Sequence, residues 1–188
     1  MTAQIEDYVR YRGKRYSLVG INGTGLFDPS EHGLEPVGMS TACWRGFVCT
    51  YAVRAEELRL DALEISFQGA APPLFGVELA RKRGEDGFFN GVYLGLDRRM
   101  PYTGGILVAR DFIEELYVHM GFHPAWKYRE AHELVFRDGC LLEAHDRTEE
   151  MALERQLRSG AEFEPDSRTP RGDVVEWIKR RFDRNYDT

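Results

Sequence analysis

The chain has 188 residues, the usual span of one domain, and 43% of them are hydrophobic, which supplies a core and excludes global disorder. It carries 31 acidic and 25 basic side chains, a formal charge of −6, and that balance argues against a broad nucleic-acid surface, which needs a basic excess. No apolar run approaches the roughly 18 residues of a membrane helix, and Met1-Thr2-Ala3-Gln4 opens neither a basic nor an apolar leader, so a soluble, cytoplasmic protein with no membrane partner is expected.

Charge divides the chain. Residues 146–188 hold 11 acids and 9 bases in 43 positions, whereas residues 1–145 hold 20 acids and 16 bases together with 19 of the 23 aromatic residues. This predicts a β-rich body over 1–145 and a charged helical segment over 146–188, packed on the body as one domain.

Tyr8 to Tyr11 and Arg15 to Val19 are β-prone runs about a glycine turn, a hairpin. Ile21-Asn22-Gly23-Thr24-Gly25 contains Gly-x-Gly, but the following Leu26-Phe27-Asp28-Pro29 is turn-like and opens no helix that would hold a dinucleotide. In Ser40 to Gly46, Trp44 and Arg45 offer a stacking surface and a guanidinium fork for a carboxylate, a phosphate or a protein. The other reading is that Trp44 plugs the sheet and Arg45 pairs with an acid. Cys43, Cys49 and Cys140 read as reduced thiols.

Gly46 to Val53 is apolar on both faces, as in a central strand. After a turn at Ala55-Glu56, the apolar phase slips between Leu60 and Leu63, predicting a bulge or a break at Asp61-Ala62. A glycine-rich middle follows, with short strands expected at 74–80, 91–96 and 105–109.

Asp111 to Glu114 has the form of a capping box, and Phe112, Ile113, Leu116, Tyr117 and Met120 share a face, so a helix is expected over 111–120. His119 and His123 are four apart, but Gly121 and Pro124 break the helix that would align them, and no metal is expected. The run Ile106 to Asp111, the helix bearing Leu116-Tyr117, and Gly121-Phe122 together resemble the closing strand, helix and Gly-Phe passage of GNAT acetyltransferases. That resemblance implies acetyl-CoA chemistry with Tyr117 as the acid near the thioester sulfur. It covers about 17 residues. Arg81-Lys82-Arg83-Gly84 begins the loop that would bind the pyrophosphate, with Asp86 where the family has a small residue. Apart from that resemblance no cofactor is expected.

Trp126 to Arg137, Asp138-Gly139 and Cys140 to His145 form the clearest hairpin, because Asp-Gly fits a type I′ turn. By alternation Trp126, Tyr128, Glu130, His132, Leu134 and Phe136 share one face. Glu130 and His132 therefore stand where a carboxylate orients an imidazole for acid–base work, with Tyr128 beside them. The other reading is a satisfied polar spot. Helices are expected from Thr148 to Ser159 and from Thr169-Pro170 onward, the second with Val174, Trp177, Ile178 and Arg181 along one stripe.

The fold class expected is α+β, a hairpin-rich antiparallel sheet or partial barrel with one mid-chain helix and two C-terminal helices. The function expected is a binding module for a protein partner or small ligand, of antitoxin, immunity or inhibitor type, using Trp44, Arg45 and Trp126 on the aromatic, arginine-bearing surface of the body. The alternative is a small enzyme, either an acid–base catalyst using Glu130 and His132 or a GNAT-like acetyltransferase.

Overall fold

The computed structural model describes residues 2–69, 71–81, 88–158 and 169–186. The first hairpin is β1 (Asp7–Tyr11) and β2 (Lys14–Thr24), joined by Arg12 and Gly13 at φ 49° and 76°. Two positive φ angles give the turn whose twist matches that of the strands it joins. β3 (Phe47–Arg54) and β4 (Glu57–Ile65) turn the same way through Ala55 and Glu56, at φ 48° and 60°. The expected bulge is present: Thr50 faces Ala62 and Tyr51 faces Leu60, leaving Asp61 unpaired in the ladder. Its carboxylate accepts from Arg10 and Arg54, each at 2.6 Å.

Beyond lie β5 (Ala80–Arg81), β6 (Gly91–Arg99), β7 (Thr103–Phe112), β8 (Tyr128–Arg137) and β9 (Cys140–Asp146). The strand expected at 74–80 is not formed; a lone bridge joins Leu74 to Val77, and only Ala80 and Arg81 pair with β6. Asp138 and Gly139 make the expected β8–β9 turn, at φ 45° and 76°. Trp126 falls outside its expected strand, in a 3₁₀ turn over Ala125–Lys127.

Among the described residues nine strands run in the order β3-β1-β2-β7-β8-β9-β4-β6-β5, and β3 also pairs with β4, so the sheet rolls back on itself. The β9–β4 link is the single pair Glu57 with Cys140. β1 lies parallel to β3 while the other pairings are antiparallel, so the sheet is mixed rather than purely antiparallel.

The mid-chain helix is not there. β7 continues through Phe112, which pairs with Tyr128, and Asp111 sits at φ 59° inside the strand. Only a single 3₁₀ turn, Glu114–Leu116, follows. The backbone groups that would have started a helix are committed to the β7–β8 ladder, and tertiary pairing outweighs local propensity. The passage on which the acetyltransferase resemblance rested therefore has no helix, and exposed Tyr117 hydrogen-bonds His119 Nδ1 at 2.8 Å. Of its loop, residues 82–87 lie outside the described residues.

The two C-terminal helices form as expected, as α1 (Thr148–Leu157) and α2 (Arg171–Phe182). Asp146 accepts from the Thr148 N–H at 2.9 Å, and Arg155 donates to the Trp126 and Tyr128 carbonyls at 2.7 and 2.6 Å, fastening α1 to the start of β8.

Alternation sorts the strands between two faces. Leu18, Ile106, Val108, Leu134 and Phe136 join the main core inside the rolled sheet, and Val19, Ala109 and Ala131 join a smaller cluster outside it. Small residues outside let the C-terminal segment approach. A Cβ on Gly20 would stand 2.9 Å from a Tyr186 ring carbon, and one on Gly105 would meet the Tyr186 hydroxyl.

Candidate functional site

Trp44 and Arg45 part company. Arg45 donates to both Asp7 carboxylate oxygens at 2.7 and 2.8 Å, and Arg184 reaches Asp7 Oδ2 at 3.1 Å. Burial pushes the Asp7 carboxyl up, but Arg45, Arg184 and the Cys49 N–H hold it below the usual carboxylate value. Arg45 is therefore spent on Asp7, tying strand β1 to the loop before β3, and Arg184 ties the same carboxylate to the chain beyond α2. Trp44 remains half exposed, its ring stacked on Phe182 at 4.9 Å.

Glu130 and His132 do meet, at the end of the rolled sheet. His132 Nε2 lies 3.1 Å from Glu130 Oε1, within hydrogen-bond reach. Glu130 also accepts from the Tyr16 hydroxyl at 2.6 Å and Lys14 Nζ at 3.3 Å, and pairs with Arg110 Nε at 2.7 Å. The Tyr16 bond first, then those from His132 and Lys14, outweigh partial burial and bring the Glu130 carboxyl down to about 2. Burial and that same carboxylate push the Tyr16 hydroxyl far up. A carboxylate so fully answered stays ionised and takes no proton near neutrality. Tyr128 is not part of this group: it packs in the outer cluster with Val19 and Ala125, and its hydroxyl donates to Glu6 at 3.2 Å. Neither Glu130 nor His132 lines the cavity described next.

That cavity, of about 590 Å³, lies between the outer face of the sheet and the two C-terminal helices. Its floor is Val19, Gly20 and Leu107, and one wall is the loop from Phe122 to Trp126. Met151, Glu154 and Arg158 come from α1, while Trp177, Arg180 and Arg181 come from α2, with Arg184 and Tyr186 just beyond. Three aromatic rings each carry a guanidinium: Arg158 over Trp126 at 5.5 Å, Arg181 over Trp177 at 5.3 Å, and Arg184 over Phe122 at 4.7 Å.

Most polar groups of the cleft are answered internally. Arg158 binds Glu154 at 2.7 Å, and Asp183 accepts from the Asn185 N–H at 2.9 Å. Tyr186 donates to Glu133 at 2.9 Å, and Glu133 also takes Arg147 at 2.6 Å. His123 Nε2 contacts the Val118 carbonyl at 3.1 Å while Nδ1 faces Glu6 at 3.9 Å. Trp177 Nε1, by contrast, is buried and has no hydrogen-bond partner among the described residues. Arg180 stands 3.6 Å from Glu176 Oε1, outside hydrogen-bonding distance.

Of the expected binding residues, the structure places only Trp126 in the cleft. Trp177 was legible in the sequence on the stripe of an amphipathic helix, but nothing local placed it, or Arg180, opposite the Phe122–Trp126 loop. Among the described residues no group of three or more His, Cys, Asp or Glu is arranged to hold a metal, and no helix is long and apolar enough to cross a membrane. No protein-family model, curated protein or solved structure matches this chain.

Proposed function

We propose that this protein is a binding module whose ligand is a small molecule held in the cleft between the sheet and the C-terminal helices. The observation that carries the reading is the cavity itself. Its volume, about 590 Å³, falls in the range of small-ligand sites, and it combines aromatic walls with a few convergent polar groups. The residues that would do the holding are Phe122, Trp126 and Trp177 by stacking and Arg180 by charge.

The three tryptophans make the test direct, since each contributes one indole N–H signal to a proton–nitrogen correlation spectrum. Titration with a mixture of aromatic fragments is expected to move the Trp126 and Trp177 signals and leave Trp44 in place. Movement of Trp44 alone would overturn the cleft in favour of a surface around the Trp44–Phe182 stack.

A second reading, an acid–base enzyme, has one observation in its favour, the 3.1 Å contact between His132 and Glu130. The four partners of Glu130 leave it little freedom to exchange a proton, so the binding reading takes precedence. A substrate whose turnover is abolished by His132→Ala would reverse that order.

A further inference from the structure

The geometry points to an aromatic acid, a flat apolar body bearing one carboxylate, sulfonate or phosphate, as the class of ligand that fits the cleft; this rests on the cleft being the ligand site. The reasoning is an accounting of what remains unanswered. The acids that line the cleft already have donors: Glu154 has Arg158, and Asp183 has the N–H of Asn185. Arg184 has Asp7, and Tyr186 has Glu133. What is left over is one kind of group. Trp177 Nε1 is a buried donor without an acceptor among the described residues, and the Arg180 guanidinium, exposed to solvent, is held only by a loose 3.6 Å ion pair with Glu176 that a ligand anion can displace. Both are donors only, since neither an indole N–H nor a guanidinium can accept.

A ligand that satisfies this cleft must therefore bring acceptors, and a charged acceptor gains most from a guanidinium. A cationic ligand would stand beside Arg158, Arg180 and Arg184 with the cleft's carboxylates already engaged. The remainder of the lining sets the body of the molecule. Phe122, Trp126 and Trp177 present rings, and Val19 and Leu107 give an apolar floor, which favours a flat hydrophobic skeleton over a sugar or a bare phosphate. The protein is net acidic, so the preference for an anion is local to the cleft and opposes the long-range field of the chain.

Two fluorescent probes of nearly the same shape separate the anion from the body: anilinonaphthalene sulfonate, which carries the charge, and neutral N-phenylnaphthylamine, which lacks it. The full chain is expected to bind the sulfonate saturably at one site, about tenfold or more tighter than the neutral probe. Arg180→Glu should remove most of that difference, read as the ratio of the two affinities in the same variant. Trp177→Phe, which keeps a ring and deletes the unanswered N–H, should weaken the sulfonate severalfold. Equal affinity for both probes, or a sulfonate preference that survives Arg180→Glu, would overturn the anion assignment and leave the cleft standing as an apolar site. If neither probe bound in a way that Trp177→Phe or Arg180→Glu could alter, the cleft itself would fail as the ligand site, and this inference with it.

Discussion

The Glu130 cluster and the cleft both combine aromatic rings with ionisable groups, and they differ in what they leave over. At the end of the rolled sheet, Glu130 is met by Tyr16, Lys14, Arg110 and His132, so its charge is consumed within the fold. In the cleft, rings and guanidinium groups surround about 590 Å³ of open space, one buried donor, Trp177 Nε1, has no partner among the described residues, and exposed Arg180 has only a loose ion pair with Glu176. A carboxylate beside a histidine is the more familiar sign of chemistry, yet it is the satisfied cluster. The contrast teaches that the useful question at a polar cluster is which groups lack a partner, since a buried polar group without one costs about 1–3 kcal/mol until something supplies it.

The sharpest way to break the contrast is to turn answered charges into unanswered ones. Asp7→Ala would strand Arg45 and Arg184, both partly buried and the second at the edge of the cleft. Removing one partner from a buried ion pair typically costs about 3–5 kcal/mol. The expected result is a large fall in the midpoint of chemical unfolding, with the C-terminal segment released first in hydrogen exchange. A loss below about 1 kcal/mol, the scale of surface ion pairs, would mean that Asp7 is not the clamp described.

Glu130→Gln comes next. It removes the charge that Tyr16, Lys14, Arg110 and His132 share, and bonds to a charged group are worth about 1.5–3 kcal/mol. This carboxyl also carries an acid dependence. Its folded value is about 2 against an ordinary 4.5, so the unfolded chain takes the proton first as pH falls. The stabilisation is thus fully present above about 4.5 and is lost progressively toward about 2. Unfolding midpoints followed across that window should fall more steeply for the native chain than for Glu130→Gln. Parallel curves would show that the cluster is not answered in the way its distances imply.

How much of this was readable beforehand divides along the same line. Hairpins were legible because Arg12-Gly13 and Asp138-Gly139 announce their turns locally, and the Asp61 bulge because a slip of apolar phase is a property of one strand. The Glu130–His132 contact was legible for the same reason, two residues apart on one face. The helix expected at 111–120 does not form although its residues have good helical spacing, because its first turn is held by the pairing of Phe112 with Tyr128 of β8, a long-range fact. Arg45 offered no local sign that Asp7, far away in sequence, had claimed it. The cleft was hidden most completely, since its parts come from β2, β7, the Phe122–Trp126 loop and both helices. Only the Trp177 stripe hinted at it, and that has an ordinary explanation in helix packing.

Smaller in effect is Tyr16→Phe, which deletes one of the bonds to Glu130 and leaves the other three. A loss of about 1 kcal/mol is expected in thermal or denaturant unfolding, because the remaining cations and His132 still answer the carboxylate. If instead it cost as much as Glu130→Gln, the cluster would act as one cooperative unit hung on the Tyr16 hydroxyl, and a double-mutant cycle with Lys14→Met would show the coupling.

The smallest expected change in stability belongs to the residue with the largest expected effect on binding. Arg180 is exposed, and its 3.6 Å approach to Glu176 contributes little in water. Arg180→Gln should therefore shift the unfolding midpoint by no more than about 0.5 kcal/mol, the ordinary range for a surface substitution away from buried features. That near-silence in the free protein is what distinguishes a group held in reserve from one spent on the fold. Arg45 offers the internal comparison, since Arg45→Gln should be the more destabilising of the two, removing the two-point pair from buried Asp7 and leaving it only Arg184 and the Cys49 N–H. Measured side by side, the two arginines would place a scale on the contrast between the answered cluster and the open cleft. Equal costs for the two would erase it, because Arg180 would then be holding the helix in place and would have nothing left for a ligand.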